Sequence, residues 1–290
     1  MENLRGSVLM VLAMAGFALE DMFIKRLTAD LPVGQIVIMI GLGGALVFGA
    51  ITRAQGRRLW SRDLLARSVL LRNFGELTGT MGFVLAIALT PLSSASAILQ
   101  ATPLAVTLGA AVFLGAQVGW RRWSAILVGF AGVLMVIRPG VAGFEPASLF
   151  AVMAVIGLAT RDLATRAVPR AISSMQLSTY AFATLVPTGA LLLPFGVAPV
   201  MPAGTEIRDL ALALVCAVAA YYAIVAAMRV GEVAVVTPFR YTRLIFALII
   251  GVTVFGERPD LWTLIGAGVI VASGLYTLMR EARVRHRHRK

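Results

Sequence analysis

The sequence predicts an all-α polytopic membrane protein whose ten transmembrane helices form two inverted five-helix repeats. Three observations carry that prediction. Ten apolar segments fill almost the whole chain, each near the roughly 20 residues that cross a hydrocarbon core of about 30 Å. The composition is 59% hydrophobic and 14% charged, with a mean hydropathy of +0.88, more apolar surface than a soluble domain of 290 residues can hide. Finally, an offset of 141 residues brings Val11, Ala13, Gly16, Ala18 and Asp21 onto Val152, Ala154, Gly157, Ala159 and Asp162, Lys25 onto Arg166, and Gly115 onto Gly256. A unit of five spans crosses the membrane an odd number of times, so its second copy must enter from the opposite face. The units are 1–141 and 142–290.

Hydrocarbon offers no water to satisfy backbone groups, so the spans are helices. The first, 4–26, has Arg5 ahead of an apolar run, as a secretory signal does. It is too long for one, and Lys25-Arg26 stands where cleavage would fall, so it is retained. The second covers 33–52, and the connection from Arg53 to Arg67 is the one loop with room for extra structure. The third, 68–89, carries Arg72 and Glu76 on one face, four residues apart. The fourth, 93–115, places Ser93, Ser96, Gln100 and Thr107 on one face, and the fifth is 121–138. The sixth, 148–166, ends with Arg161, Asp162 and Arg166, and the seventh is 174–196. The eighth, 207–228, holds Cys216, Tyr221 and Tyr222. The ninth, 232–255, holds Thr237, Arg240 and Arg243 on one stripe, with Pro238 removing a backbone bond. The tenth, 260–280, runs into a basic tail.

Basic residues orient the bundle. With the N-terminus in the cytoplasm, the inner side takes Arg5, the cluster Arg53, Arg57, Arg58, Arg62 and Arg67, then Arg121, Arg122, Arg166, Arg170, Arg229 and the six cations from Arg280 to Lys290. The outer side takes only Lys25, Arg26, Arg138, Arg208 and Arg258. Both termini are therefore cytoplasmic in a multi-pass protein of the inner (plasma) membrane. The formal charge of +12 belongs to inner loops and tail, where it faces anionic membrane lipid rather than nucleic acid. Trp60, Trp120, Trp123 and Trp262 fall at or beyond span ends, as an interfacial belt requires. The lone Cys216 excludes a disulfide and a thiolate metal cluster, so no metal or other cofactor is expected. His286 and His288 are both in the tail, which excludes a histidine proton relay. Any coupling to protons then needs a carboxylate.

Inverted repeats are the architecture of many secondary transporters, whose sites lie near the midplane between the repeats. The chain resembles the EamA-type ten-helix carriers of the drug/metabolite transporter superfamily over nearly its whole length. The resemblance lies in Leu114-Gly115, Arg122-Trp123 and Gly129-Phe130-Ala131-Gly132, then Gly256-Glu257, Ile265-Gly266 and Ser273-Gly274, and in the Asp-x-x-x-basic ends of spans one and six. It departs from the family pattern at Ala116, where a Glu matching Glu257 is usual. The Thr102-Pro103 and Thr237-Pro238 pairs are offset by 135, outside the repeat register. The resemblance implies a carrier of small organic metabolites. The stretches Thr237 to Arg243 and Asn3 to Gly6 are most similar to metabolite-uptake members, with riboflavin and S-adenosylmethionine the leading substrates. An exporter of amino acids or drugs is the alternative.

Charges at mid-depth cost roughly 2.5–3.5 kcal/mol each on insertion scales, so each needs a partner or water. Two readings stand for Arg240 and Arg243: a cavity wall for an anionic or carbonyl-rich substrate, with Thr237 and Tyr241 beside them, or structural ion pairing. Arg72 and Glu76 are likewise either a local ion pair or a substrate site in which Glu76 takes a proton or an amine. Gln100 and Tyr222 are candidate cavity-lining groups. The pairs Asp21 with Lys25 and Asp162 with Arg166 are either alternating gates or helix-end ion pairs. Walker-type ATP hydrolysis is excluded because neither Lys25 nor Lys290 ends a phosphate-binding loop. An intramembrane enzyme would need clustered carboxylates or a Ser/His or Cys/His constellation, and the spans offer none. A channel or helper subunit fits poorly with inverted repeats and mid-span charges.

Overall fold

A computed structural model describes residues 2–60, 62–140, 144–169 and 171–287. Arg170, His288, Arg289 and Lys290, counted above, lie outside the described residues. The first half holds α1 (Glu2–Leu27), α2 (Val33–Ala54), α3 (Arg67–Leu89), α4 (Leu92–Leu99), α5 (Thr102–Phe113) and α6 (Trp120–Ile137). The second holds α7 (Ser148–Thr165), α8 (Ser174–Leu192), α9 (Gly204–Val230), α10 (Val233–Val236), α11 (Thr242–Val254) and α12 (Leu261–Arg287). The described residues contain no strand. The long connection after α2 contributes a single 3₁₀ turn, Arg62–Leu65.

Helix boundaries repeat at the offset read from the residues. Val33, Leu92 and Trp120 open helices, and so do Ser174, Val233 and Leu261, each 141 residues on. Gly115 and Gly256 both take a left-handed φ, +63° and +64°. Each lets the chain fold back on a helix end, so that Ala116 N–H donates to Ala110 O at 3.0 Å and Glu257 N–H to Gly251 O at 2.9 Å. A side chain at either glycine would strain that turn.

Packing follows a pseudo-two-fold axis. Exchange of the halves turns the α1–α9 contact into α7–α3, α2–α9 into α8–α3, and α5–α7 into α11–α1, while α2–α8 and α6–α12 map onto themselves. Glycines permit the closest crossing: a Cβ on Gly157 would lie 2.3 Å from the Gly79 backbone nitrogen, so α3 and α7 touch main chain to main chain. Nine of the ten spans are long and apolar enough to cross a membrane among the described residues. The exception is α3, which carries Arg72, Asn73, Glu76, Thr78 and Thr80 on otherwise apolar turns.

The fourth and ninth spans are discontinuous. The fourth breaks between α4 and α5 at Gln100 and Ala101, and the ninth runs through α10, a 3₁₀ segment at Thr237–Tyr241, and α11. Gln100 and Tyr241 occupy equivalent repeat positions, and Gln100 Nε2 donates to the Tyr241 carbonyl at 3.3 Å. A residue meets its own counterpart only beside the axis, so both breaks sit at the centre of the bundle.

Candidate functional site

Between the two halves lies a cavity of about 700 Å³. It reaches from the floor formed by Ile24 and Ile87 to a mouth at Arg166, Ser174 and Arg229, the end where the chain termini emerge. The symmetry of the contacts fails at the two ends. At the closed end α4 packs on α11, whereas the counterpart pair at the mouth, α10 with α5, makes no comparable contact among the described residues.

Charged groups line the midsection in two clusters. The first spans α3, α7 and the 3₁₀ segment. Glu76, buried, lies 3.5 Å from Arg72 Nη2 and 3.3 Å from Arg161 Nη1. Arg161 also holds Asp162 at 2.8 Å, and Arg240 approaches Asp162 at 3.8 Å. Arg72 donates to the Tyr221 hydroxyl at 3.2 Å. Three guanidiniums thus face two carboxylates. The second cluster joins α1 to α11. Arg243 donates from Nη2 to both Asp21 oxygens at 2.9 and 2.7 Å, with its guanidinium over the rings of Phe17 and Phe83 at 5.2 and 5.0 Å. Glu20, beside Asp21, also lines the cavity, and among the described residues no cation lies within 4.0 Å of it. Phe182 and Tyr221 line the cavity and pack against each other and against buried Phe48 at 5.4 to 5.8 Å between centroids.

The closed end has its own polar lock. Glu257 Oε1 and Oε2 accept from the Leu92 and Ser93 amides at 2.6 and 3.0 Å, capping α4. Lys25 Nζ lies 3.7 Å from Glu257 and donates to the carbonyls of Thr90 at 2.6 Å and Ile87 at 3.0 Å. Arg26 pairs with Asp209 at 3.3 Å, and Arg138 with Asp260.

The structure thus brings Arg72, Glu76, Gln100, Thr237, Arg240, Tyr241 and Arg243 to one cavity. Three expectations need correction. Tyr222 is 55% exposed on the outside of the bundle, and its neighbour Tyr221 faces the cavity, since adjacent helical residues point about 100° apart. Asp21 pairs with Arg243 rather than Lys25, and Asp162 with Arg161 and Arg240 rather than Arg166. In each case a cation better placed than the one four residues on satisfies the carboxylate. Lys25 is left to lock the closed end, and Arg166 stands at the mouth with no carboxylate within 4.0 Å among the described residues. Glu20, Arg161 and Tyr221 belong to the site although sequence reasoning did not select them; the signal for the first two was a charge in mid-span.

The EamA-like transporter family description matches residues 4–138 and 146–279. A riboflavin transporter of Rhizobium johnstonii is 28% identical over 71% of this chain and 68% of its own length. An S-adenosylmethionine uptake transporter of Rickettsia felis is 26% identical over 75% of this chain and 72% of its own. A pseudopaline exporter, CntI, of Pseudomonas aeruginosa is 30% identical over 92% of this chain and 94% of its own. A protein of known crystal structure superposes with a TM-score of 0.61 at 20% identity, covering 97% of this chain and 98% of that one, which supports the fold alone.

Proposed function

The chain belongs to the EamA-like transporter family, and on that footing we propose that it carries a small organic metabolite across the inner membrane by alternating access. The observation that carries the proposal is the cavity between the repeats, locked at one end and open at the other. Its volume of about 700 Å³ falls within the range of about 300–1,000 Å³ typical of small-molecule sites. Exchange of conformation between two inverted units would close the mouth and open the locked end around a fixed midplane site.

Riboflavin and S-adenosylmethionine are the leading substrates, supported by what two relatives are named for. Export is the second reading, supported by an exporter that matches over 92% of this chain. The test is solute movement in proteoliposomes holding the full chain, with riboflavin, S-adenosylmethionine, and neutral and acidic amino acids, each with and without a pH gradient. Saturable uptake of one solute is the expected result, and its dependence on the gradient reports whether a cavity carboxylate exchanges protons. Failure of folded, inserted protein to move any solute would sink the carrier reading. Membrane orientation, as distinct from transport direction, is read from a tag after Glu145, expected outside, and one after Arg170, expected inside.

A further inference from the structure

We infer that the cavity is built for a zwitterionic solute, Glu20 receiving its cationic group and Arg240 its anionic group. The inference rests on the carrier reading and adds its substrate class. It starts from the way charge is divided between the walls. In the cluster of α3, α7 and the 3₁₀ segment, Glu76 is held by two guanidiniums and Asp162 is held closely by Arg161. Arg240, at 3.8 Å from an Asp162 already engaged, is the cation left over, and its side chain is 32% exposed to the cavity. In the α1–α11 cluster, Asp21 and Arg243 satisfy each other with two donor atoms and two acceptors. Glu20 is then the carboxylate left over.

The repeat is the origin of this division. Glu20 and Arg161 occupy equivalent positions, 141 residues apart. A cavity made from two like-charged copies would present the same sign from both walls. Inverting one charge makes the walls opposite: the α7 side gains a cation and the α1 side an anion. The open mouth admits water to both groups when the cavity is empty. A bound solute excludes that water and must supply the compensation itself, because an unpaired charge is costly in such surroundings. A solute with one charge satisfies one wall and leaves the other bare, and an uncharged solute leaves both. A molecule carrying an ammonium or sulfonium and a carboxylate answers both at once. The cavity lining also includes the apolar Met14, Ile40, Phe182, Leu185 and Val225, which accommodate an uncharged body.

The experiment uses the full chain in proteoliposomes, with a panel of labelled amino acids and S-adenosylmethionine as zwitterions and riboflavin as a solute with neither group. For any neutral amino acid transported, its N-acylated form (anion only) and its methyl ester (cation only) serve as competitors; for S-adenosylmethionine, whose sulfonium survives acylation, the anion-only competitor is N-acylated S-adenosylhomocysteine. Blocking either end is expected to weaken apparent affinity about tenfold or more, the scale of a lost charge-assisted hydrogen bond. Glu20→Gln is expected to raise the half-saturation concentration of the zwitterion by a similar factor and to erase its advantage over the N-acylated form. Glu20→Asp is expected to restore most of it, and Arg240→Gln to erase the advantage over the ester instead. Size-exclusion profiles confirm that each variant is folded. Transport confined to riboflavin overturns the inference and leaves the carrier reading standing, as does a folded Glu20→Gln protein whose zwitterion kinetics are unchanged. Transport of nothing in the panel overturns both readings.

Discussion

Lys25 and Glu257 meet across the repeats at 3.7 Å, and their counterparts at the mouth, Arg166 and Ala116, are a cation and a methyl group. The lock is therefore present in one copy only. Glu257 ties three parts of the closed end together: the turn after α11, the start of α4 and the end of α1. Ala116 follows an identical turn after α5 yet offers nothing to the start of α10. The asymmetry of a single side chain thus coincides with which end of the cavity is open.

Removal of the lock should loosen the closed end. In a Cys216→Ser background with a reporter cysteine at Ile24 on the cavity floor, Glu257→Ala is expected to speed labelling from the locked side at least about tenfold, the scale of even one charge-assisted hydrogen bond lost. An impermeant maleimide applied to that side measures it. Equal rates with and without Glu257 would show that helix packing alone closes this end.

Arg240 and Arg243 share the ninth span but should fail differently. Arg243 is the partner of buried Asp21, so Arg243→Ala strands a carboxylate and is expected to cost about 3–5 kcal/mol, lowering the yield of monodisperse protein. Asp21→Asn in the same chain should restore much of that yield. Arg240 has one weak contact, so Arg240→Ala should fold normally and lose transport. Thermal unfolding followed by size exclusion separates the two, and indistinguishable midpoints would remove the structural role given to Arg243.

Much of this architecture is legible in the residues. Apolar runs mark the spans because hydrocarbon permits little else, and the offset of 141 recurs in helix starts and in the turns at Gly115 and Gly256. Partner choice is not legible in the same way. Spacing on one helix proposes Lys25 for Asp21, yet the partner is Arg243, 222 residues away, because a buried carboxylate is best satisfied by a guanidinium brought in from a facing helix. Selection of Tyr222 over Tyr221 fails for a related reason, since both side chains suit either environment and only the helix's rotation in the bundle decides. Pro238 signals the interruption of the ninth span, but the equivalence of the breaks at Gln100 and Tyr241 is not legible because the prolines, at 103 and 238, stand out of repeat register.

The crossing of α3 over α7 sets the positions of Arg72, Glu76 and Arg161, so widening it should disturb the site as well as the fold. A Cβ at Gly157 has backbone within 2.3 Å and cannot be accommodated by turning a side chain aside. Gly157→Ala is expected to cost about 1–3 kcal/mol. Gly268→Ala, with open space at that position, serves as the control and should be neutral. Equal thermal midpoints for the two variants would contradict the close crossing.

Finally, a carboxylate at position 116 should create the missing second lock. The turn already carries the Ala116 amide to the Ala110 carbonyl at 3.0 Å, as Glu257 is carried to Gly251, so the backbone there needs no change. In Ala116→Glu the new side chain can accept from the amides that open α10 and attract Arg166, the counterparts of Leu92, Ser93 and Lys25. These contacts form only when the mouth closes, so they stabilise that state selectively, which is the condition for shifting a population. A gain of about 1–2 kcal/mol corresponds to roughly 5–30-fold. In the Cys216→Ser background, a cysteine at Thr107 near the mouth should then label more slowly from the open side, and one at Ile24 faster from the locked side. Ala116→Gln, similar in shape but uncharged, should produce a smaller shift. Unchanged labelling at both positions in folded Ala116→Glu protein would mean that the end-state preference is set elsewhere in the bundle.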